Sequence, residues 1–274
     1  MSLARRKRDR ILAAQTVIAA QTILAGAAPV RGAVAPAAAP VPSAAGAPCS
    51  DPATRAASQI ALRLTHDLRR LKEIRSIDRK IEAKREMLPE YKAWVDGLMN
   101  ADAGVGTGVA AEVLPTYMVW LIDVGAYMAA LDLVPFMLRH KVEMPSRYQR
   151  DAATIVVEEV AVAAAKAQNA GEAFSLDVLM RVGELTEGLD IHDEVRAKLL
   201  KAIGVEKLRG AEDMEAGPGA LPHLETALDI LRHAQRLNDR VGVRDRIKRA
   251  EKLIAACNAT LADTATRRSG DPAA

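Results

Sequence analysis

Paired carboxylates are the first residues in this sequence that could do chemistry. Glu158 and Glu159 are adjacent in an alanine- and valine-rich stretch, and Asp190, His192, Asp193 and Glu194 crowd together further on. Groups of this kind hold divalent metals that activate water against phosphodiesters, which makes Glu158, Glu159 and Asp193 the candidate catalytic residues. Spacing weakens the case. Neighbours on a helix point about 100° apart, so Glu158 and Glu159 need a third group from elsewhere to share an ion, and surface charge is the plainer role. The second cluster also reads as a helix start, with Asp190 as cap, acids in the first turn, Lys198 and Lys201 toward the end and Gly204 beyond it. No metal site and no cofactor is expected. His66, His140, His223 and His233 have no consistent partners in the sequence.

Gly104, Gly106 and Gly108 suggest a phosphate cradle, but no strand precedes them and no Gly-Lys-Ser/Thr ending follows, so they read as a connector. Cys49 and Cys257 are far apart and unpatterned, which fits reduced thiols in a cytosolic setting.

Cations form the second chemical group. Arg55, Arg63, Arg69, Arg70, Lys72, Arg75, Arg79, Lys80, Lys84 and Arg85 stand against five acids between residues 55 and 88, and Arg5, Arg6, Lys7, Arg8 and Arg10 open the chain. Such density suits the phosphates of a nucleic acid. It also suits a solvated helix face with charge pairs at helical spacing, such as Asp67 with Arg70, Arg69 with Glu73 and Glu82 with Arg85. The net charge of +3 hides this asymmetry: residues 89–210 carry twelve bases against eighteen acids. Basic ends around an acidic middle fit a protein that reaches out to a polyanion.

The elements that must position these groups are helical. Half the chain is apolar but only 3% is aromatic, and alanine-rich composition favours helices over strands, so an all-α fold of helical hairpins is predicted. Ile60, Leu64, Leu71, Ile74, Ile81 and Leu88 follow a heptad over one long basic helix, 55–88, with no Gly or Pro before Pro89. Asp67, Asp78 and Arg85 interrupt that seam, which points to packing against a neighbouring hairpin rather than an isolated zipper. A helical core follows over 89–210, with Gly125 separating two helices and Pro135 stopping or kinking the second. Gly171 stops a helix over 150–170, and Ser175 to Gly188 reads as another. After an acidic Gly/Pro break, 221–262 reads as a terminal helical pair turning at Gly242, and the last dozen residues as a polar tail.

The first 54 residues read differently. Arg5 to Arg10 precede an apolar run that imitates a secretory signal, but Gln15, Thr16, Gln21 and Thr22 interrupt it, so a short amphipathic basic helix is expected. It is too short and polar to span a membrane. The Ala/Pro-rich stretch 29–52 reads as a flexible tether.

Several strings also resemble a known family. Lys84-Arg-Glu-Met-Leu-Pro-Glu-Tyr with Trp94-Val-Asp-Gly, Met118-Val-Trp-Leu-Ile-Asp-Val-Gly with Ala129-Ala-Leu-Asp, Leu138-Arg-His with Met144-Pro, Glu158-Glu-Val-Ala and Asp193-Glu-Val-Arg-Ala-Lys-Leu run in the family's order. Together they resemble the small terminase subunit of tailed temperate phages, of the M-protein type named terminase endonuclease subunit. The resemblance implies an oligomeric helical protein, expected to form a ring, that binds double-stranded phage DNA at the packaging site and hands it to a large ATPase subunit. The complex then cuts the DNA and fills procapsids in the host cytoplasm. It leaves 221–262 as a candidate contact for the large subunit. Two alternatives remain open at this point: a metal-dependent endonuclease in its own right, and a helical scaffold that does not bind DNA.

Overall fold

The structure, a computed structural model, describes residues 51–269, with side chains to 262. All regular elements among these residues are helices, in agreement with the composition. The basic arm Arg5 to Arg10 and the Ala/Pro tether lie outside the described residues, except for the last two tether positions.

The first correction concerns the long basic helix. Helix α1 (Pro52–Glu73) ends at Ile74, whose backbone is extended (φ −77°, ψ 123°), and α2 (Ile77–Met87) begins after Ser76. Ser76 is a true N-cap, its hydroxyl accepting from the Arg79 amide at 3.4 Å, with Asp78 in the first turn. The chain therefore folds back on itself. The reversal buries Ile60, Leu64 and Leu71 of α1 in the same core as Ala83 and Met87 of α2, which one straight helix could not do alone.

Helix α3 (Pro89–Ala101) follows α2 with only Leu88 between them, and Pro89 occupies a first-turn position where its missing N–H costs nothing. Tyr91 and Val95 face inward, and Tyr91 meets Trp120 edge-on at 5.6 Å. A connector and a short 3₁₀ turn (Gly108–Glu112) lead to α4 (Val113–Asp123). Nine of its eleven residues are buried, as expected of a helix apolar on all sides, and the surrounding helices pack around it.

Gly125 (φ +85°) turns the chain into α5 (Tyr127–Leu131). Pro135 neither stops nor kinks that helix. It lies in the first turn of a separate short helix, α6 (Val134–Arg139), the position a proline favours. Helix α7 (Ala152–Asn169) is capped by Asp151, which accepts from the Thr154 amide at 2.9 Å. Burial pushes the Asp151 carboxyl up, but its bonds to Thr154 and nearby amides hold it below its ordinary value. Helix α8 (Leu176–Leu185) lies within the expected 175–188 helix, with Ser175 as its N-cap and its end three residues short of Gly188.

Helix α9 (Asp193–Glu212) corrects three expectations. Its N-cap position is His192 rather than Asp190, it runs eight residues past Gly204, and Gly204 is a packing site instead of a stop. A Cβ at Gly204 would lie 2.7 Å from Leu231 Cδ2, so only glycine lets α10 (Leu221–Leu237) come this close. Helix α11 (Arg244–Ser269) packs back on α10 after the Gly242 turn, and its backbone stays helical through most of the expected polar tail.

Two hydrophobic clusters result. One spans α1 to the first half of α9, and the other joins the second half of α9 to α10 and α11.

Candidate nucleic-acid interface

The α1–α2 hairpin presents most of the candidate phosphate-binding cations. The bend itself is a cleft of about 620 Å³ lined by Arg70, Glu73, Ile74, Arg75, Ser76 and Arg79. Three of its six residues are arginines.

The charge pairs expected along one helix face are absent among the described residues. In their place, pairs join different helices: Arg63 to Glu90 at 2.6 Å, Arg70 to Glu86 at 3.2 Å and Lys84 to Asp123 at 2.5 Å. The fold-back produces this exchange, because it brings Glu86 and Glu90 alongside α1. Arg63 and Arg70 remain about half exposed, so their bonds are weak tethers rather than burial, whereas the Lys84 side chain is only 17% exposed and is engaged in the fold. Arg55, Arg69, Lys72, Arg75, Arg79, Lys80 and Arg85 make no ion pair with any described residue. All seven reach solvent, with Lys80 half-buried. Arg69, Arg70, Lys72, Arg75, Arg79 and Lys80 crowd the bend on both sides of Ser76 in the sequence, while Lys84 and Arg85 lie farther along α2.

The candidate catalytic carboxylates sit elsewhere. Glu158 on α7 binds Arg150 at 2.7 Å and lies 3.9 Å from Lys198 of α9, so two protein cations already occupy the place a metal would take. Glu159 is exposed on α7. Asp193 is exposed in the first turn of α9, where acids favour the helix dipole. Among the described residues no three His, Cys, Asp or Glu side chains gather as a metal site would require.

Two constellations escape a sequence reading. Asp67, out of place in the heptad, accepts a 2.7 Å bond from the Tyr91 hydroxyl and lies 3.5 Å from His66. His140, which has no partner in the sequence pattern, shares Asp102 with Arg139: Asp102 Oδ1 accepts from Arg139 at 2.5 Å and contacts His140 Nε2 at 2.7 Å. Asp102 has left-handed backbone (φ 46°) at the start of the glycine connector. Its carboxyl is held below the usual range, by the His140 bond first and Arg139 second. The only signal for this pair is Asp102 preceding the glycines, since 38 residues separate the partners.

Comparison with known proteins gives the family. The protein named "Terminase, endonuclease subunit" of Escherichia phage P2 is 35% identical over 196 residues, covering 72% of this chain and 73% of its own. A family model described as phage small terminase subunit matches residues 61–194. The chain belongs to the phage small terminase subunit family. The family match begins within α1, contains the whole basic bend and ends in the first turn of α9, leaving α10 and α11 outside it. No solved structure matches the chain. No helix among the described residues is long and apolar enough to cross a membrane.

Proposed function

We propose that this terminase small subunit binds double-stranded phage DNA at the packaging site through the bend of the α1–α2 hairpin. It then acts with the large terminase ATPase in cutting the DNA and filling procapsids in the host cytoplasm. One observation carries the reading: seven exposed or half-exposed cations of the hairpin, Arg55, Arg69, Lys72, Arg75, Arg79, Lys80 and Arg85, have no described acidic partner. A solvated structural face would be expected to neutralise more of them. Arg70 and Arg63 can exchange an exposed carboxylate for a phosphate, while Lys84 contributes through the fold instead. The arm Arg5 to Arg10 is the second contact in this reading, and self-association, as a ring, presents several hairpins to one duplex.

Phosphate contacts make affinity fall steeply with salt. With about six contacts per bound unit, the loss between 50 and 200 mM salt is about a thousandfold. Filter binding of the full chain to phage-end DNA tests this, beside a variant with Arg69, Lys72, Arg75 and Arg79 replaced by Ala. The expected result is a steep salt slope for the parent and a shallow one for the variant, with unchanged helical content. Salt-independent binding by the parent, or equal slopes, would exclude the hairpin as the DNA surface. Native mass spectrometry with and without DNA reports subunit number and DNA occupancy together.

A further inference from the structure

The turn between α10 and α11 carries a second concentration of positive charge, outside the family match and outside the hairpin. Residues 232–248 hold six basic groups, Arg232, Arg236, Arg240, Arg244, Arg246 and Lys248, against Asp239 and Asp245. Arg232 is paired with Glu251 at 2.9 Å. Arg236, Arg240, Arg244 and Arg246 are exposed and make no ion pair with any described residue, the two local aspartates included.

The turn that displays them is braced. Lys201 of α9 reaches beneath it and donates to the Val241 carbonyl at 2.8 Å, the Arg240 amide donates to Asn238 Oδ1 at 2.9 Å, and Gly242 supplies the left-handed residue (φ +78°). Lys201 adds a half-buried cation under the exposed ones. Burial first, and repulsion from Arg246 second, lower its pKa. An anion placed over the turn would relieve that repulsion.

We infer that the α10–α11 turn is a second DNA-backbone contact, gripping phosphates through Arg236, Arg240, Arg244 and Arg246. The inference rests on the DNA-binding reading of the hairpin and adds a separate surface to it. A phosphate backbone fits better than an acidic protein surface for a physical reason. Protein interfaces are anchored by buried apolar or aromatic side chains, and none of the exposed large apolar residues, which include Leu62, Ile77, Met128 and Val162, lies within 232–248. Charge without an apolar anchor matches sequence-independent phosphate binding.

The test replaces Arg236, Arg240, Arg244 and Arg246 with Ala in the full chain, and in a second variant with Lys. Binding to duplex DNA is measured by fluorescence anisotropy across salt concentrations. Each lost phosphate contact should remove about 0.9 from the slope of log K against log salt, so the Ala variant, lacking four, should flatten it by about 3.6 while the Lys variant keeps it. Hydrogen exchange on the unmodified chain supplies a readout independent of variant folding: amides of 236–246 should gain protection when DNA is added. If both variants match the parent's slope, or that segment gains no protection, the inference is wrong although the hairpin reading stands. Loss of large-subunit co-purification with unchanged DNA binding would overturn it in favour of a protein contact. A parent chain with no salt-dependent DNA binding would overturn both readings together.

Discussion

The Tyr91 hydroxyl donates to Asp67 Oδ2 at 2.7 Å, joining α3 to α1 across the fold-back of the hairpin. Asp67 occupies a heptad position where hydrocarbon would be expected, and the bond explains why a carboxylate is tolerated there. Burial first and the Asp67 bond second push the phenol well above its ordinary range. Replacing Tyr91 with Phe leaves a mostly buried carboxylate short of its donor and should cost about 1–3 kcal/mol. Asp67→Leu in the same background should recover much of that loss, since removing both partners of a buried bond is far cheaper than removing one. Urea denaturation of the two variants checks the pair, and additive losses would contradict it.

The reversal at Ser76 is open to a direct distance measurement. Along one straight helix, positions 63 and 90 would lie about 40 Å apart, at 1.5 Å per residue. In the hairpin, Arg63 and Glu90 touch. Spin labels at these two positions should report a short, narrow distance distribution. A peak near the straight-helix value would restore the continuous rod.

Gly204→Ala tests the close approach of α9 and α10. Alanine raises helix propensity by about 1 kcal/mol, but its methyl would meet Leu231 at 2.7–2.8 Å. Overpacking of this kind typically costs about 1–3 kcal/mol, so a net loss of stability is expected. A higher Tm for the variant would mean that Leu231 moves aside freely.

Asp102 gives the fold a signature in acid. Its folded carboxyl titrates below its unfolded value, so its contribution is present above the unfolded pKa, about 3.9, and is lost as pH falls through the lower folded value. Asp102→Asn should therefore melt earlier than the parent at neutral pH, and the gap should close in acid. The site is exposed, so the effect should be small and shrink with added salt. A gap that persists unchanged below that window would point to lost packing instead.

Glu158→Gln separates structural from catalytic service. The parent side chain bridges Arg150 and Lys198, so the variant should lose stability modestly, by about 1 kcal/mol or less for so exposed a network. Magnesium-dependent nicking by the terminase complex should be unchanged. Abolished nicking with an unaltered melting curve would make Glu158 a metal ligand after all.

Much of the helical order was legible because the punctuation is local. Gly125, Gly171 and Gly242 mark turns, and Asp151 and Ser175 sit directly before apolar periodic runs. The Ser76 break was hidden because Arg-Ser-Ile contains neither Gly nor Pro, although a serine followed two residues later by Asp78 is a helix-start signal in its own right. Gly204 was misread because a glycine near the end of a periodic run means either a stop or a close crossing, and only the partner helix decides which. The basic residues were visible as a density. Which of them stay unpaired depends on Glu86, Glu90 and Asp123 arriving from other helices, which no local pattern encodes.

Helix α9 belongs to both apolar clusters: Ile203 closes one and Val205 opens the next, with Gly204 at the handover. The final two helices thus have an interior of their own, and α9 is the element through which strain in either interior reaches the other.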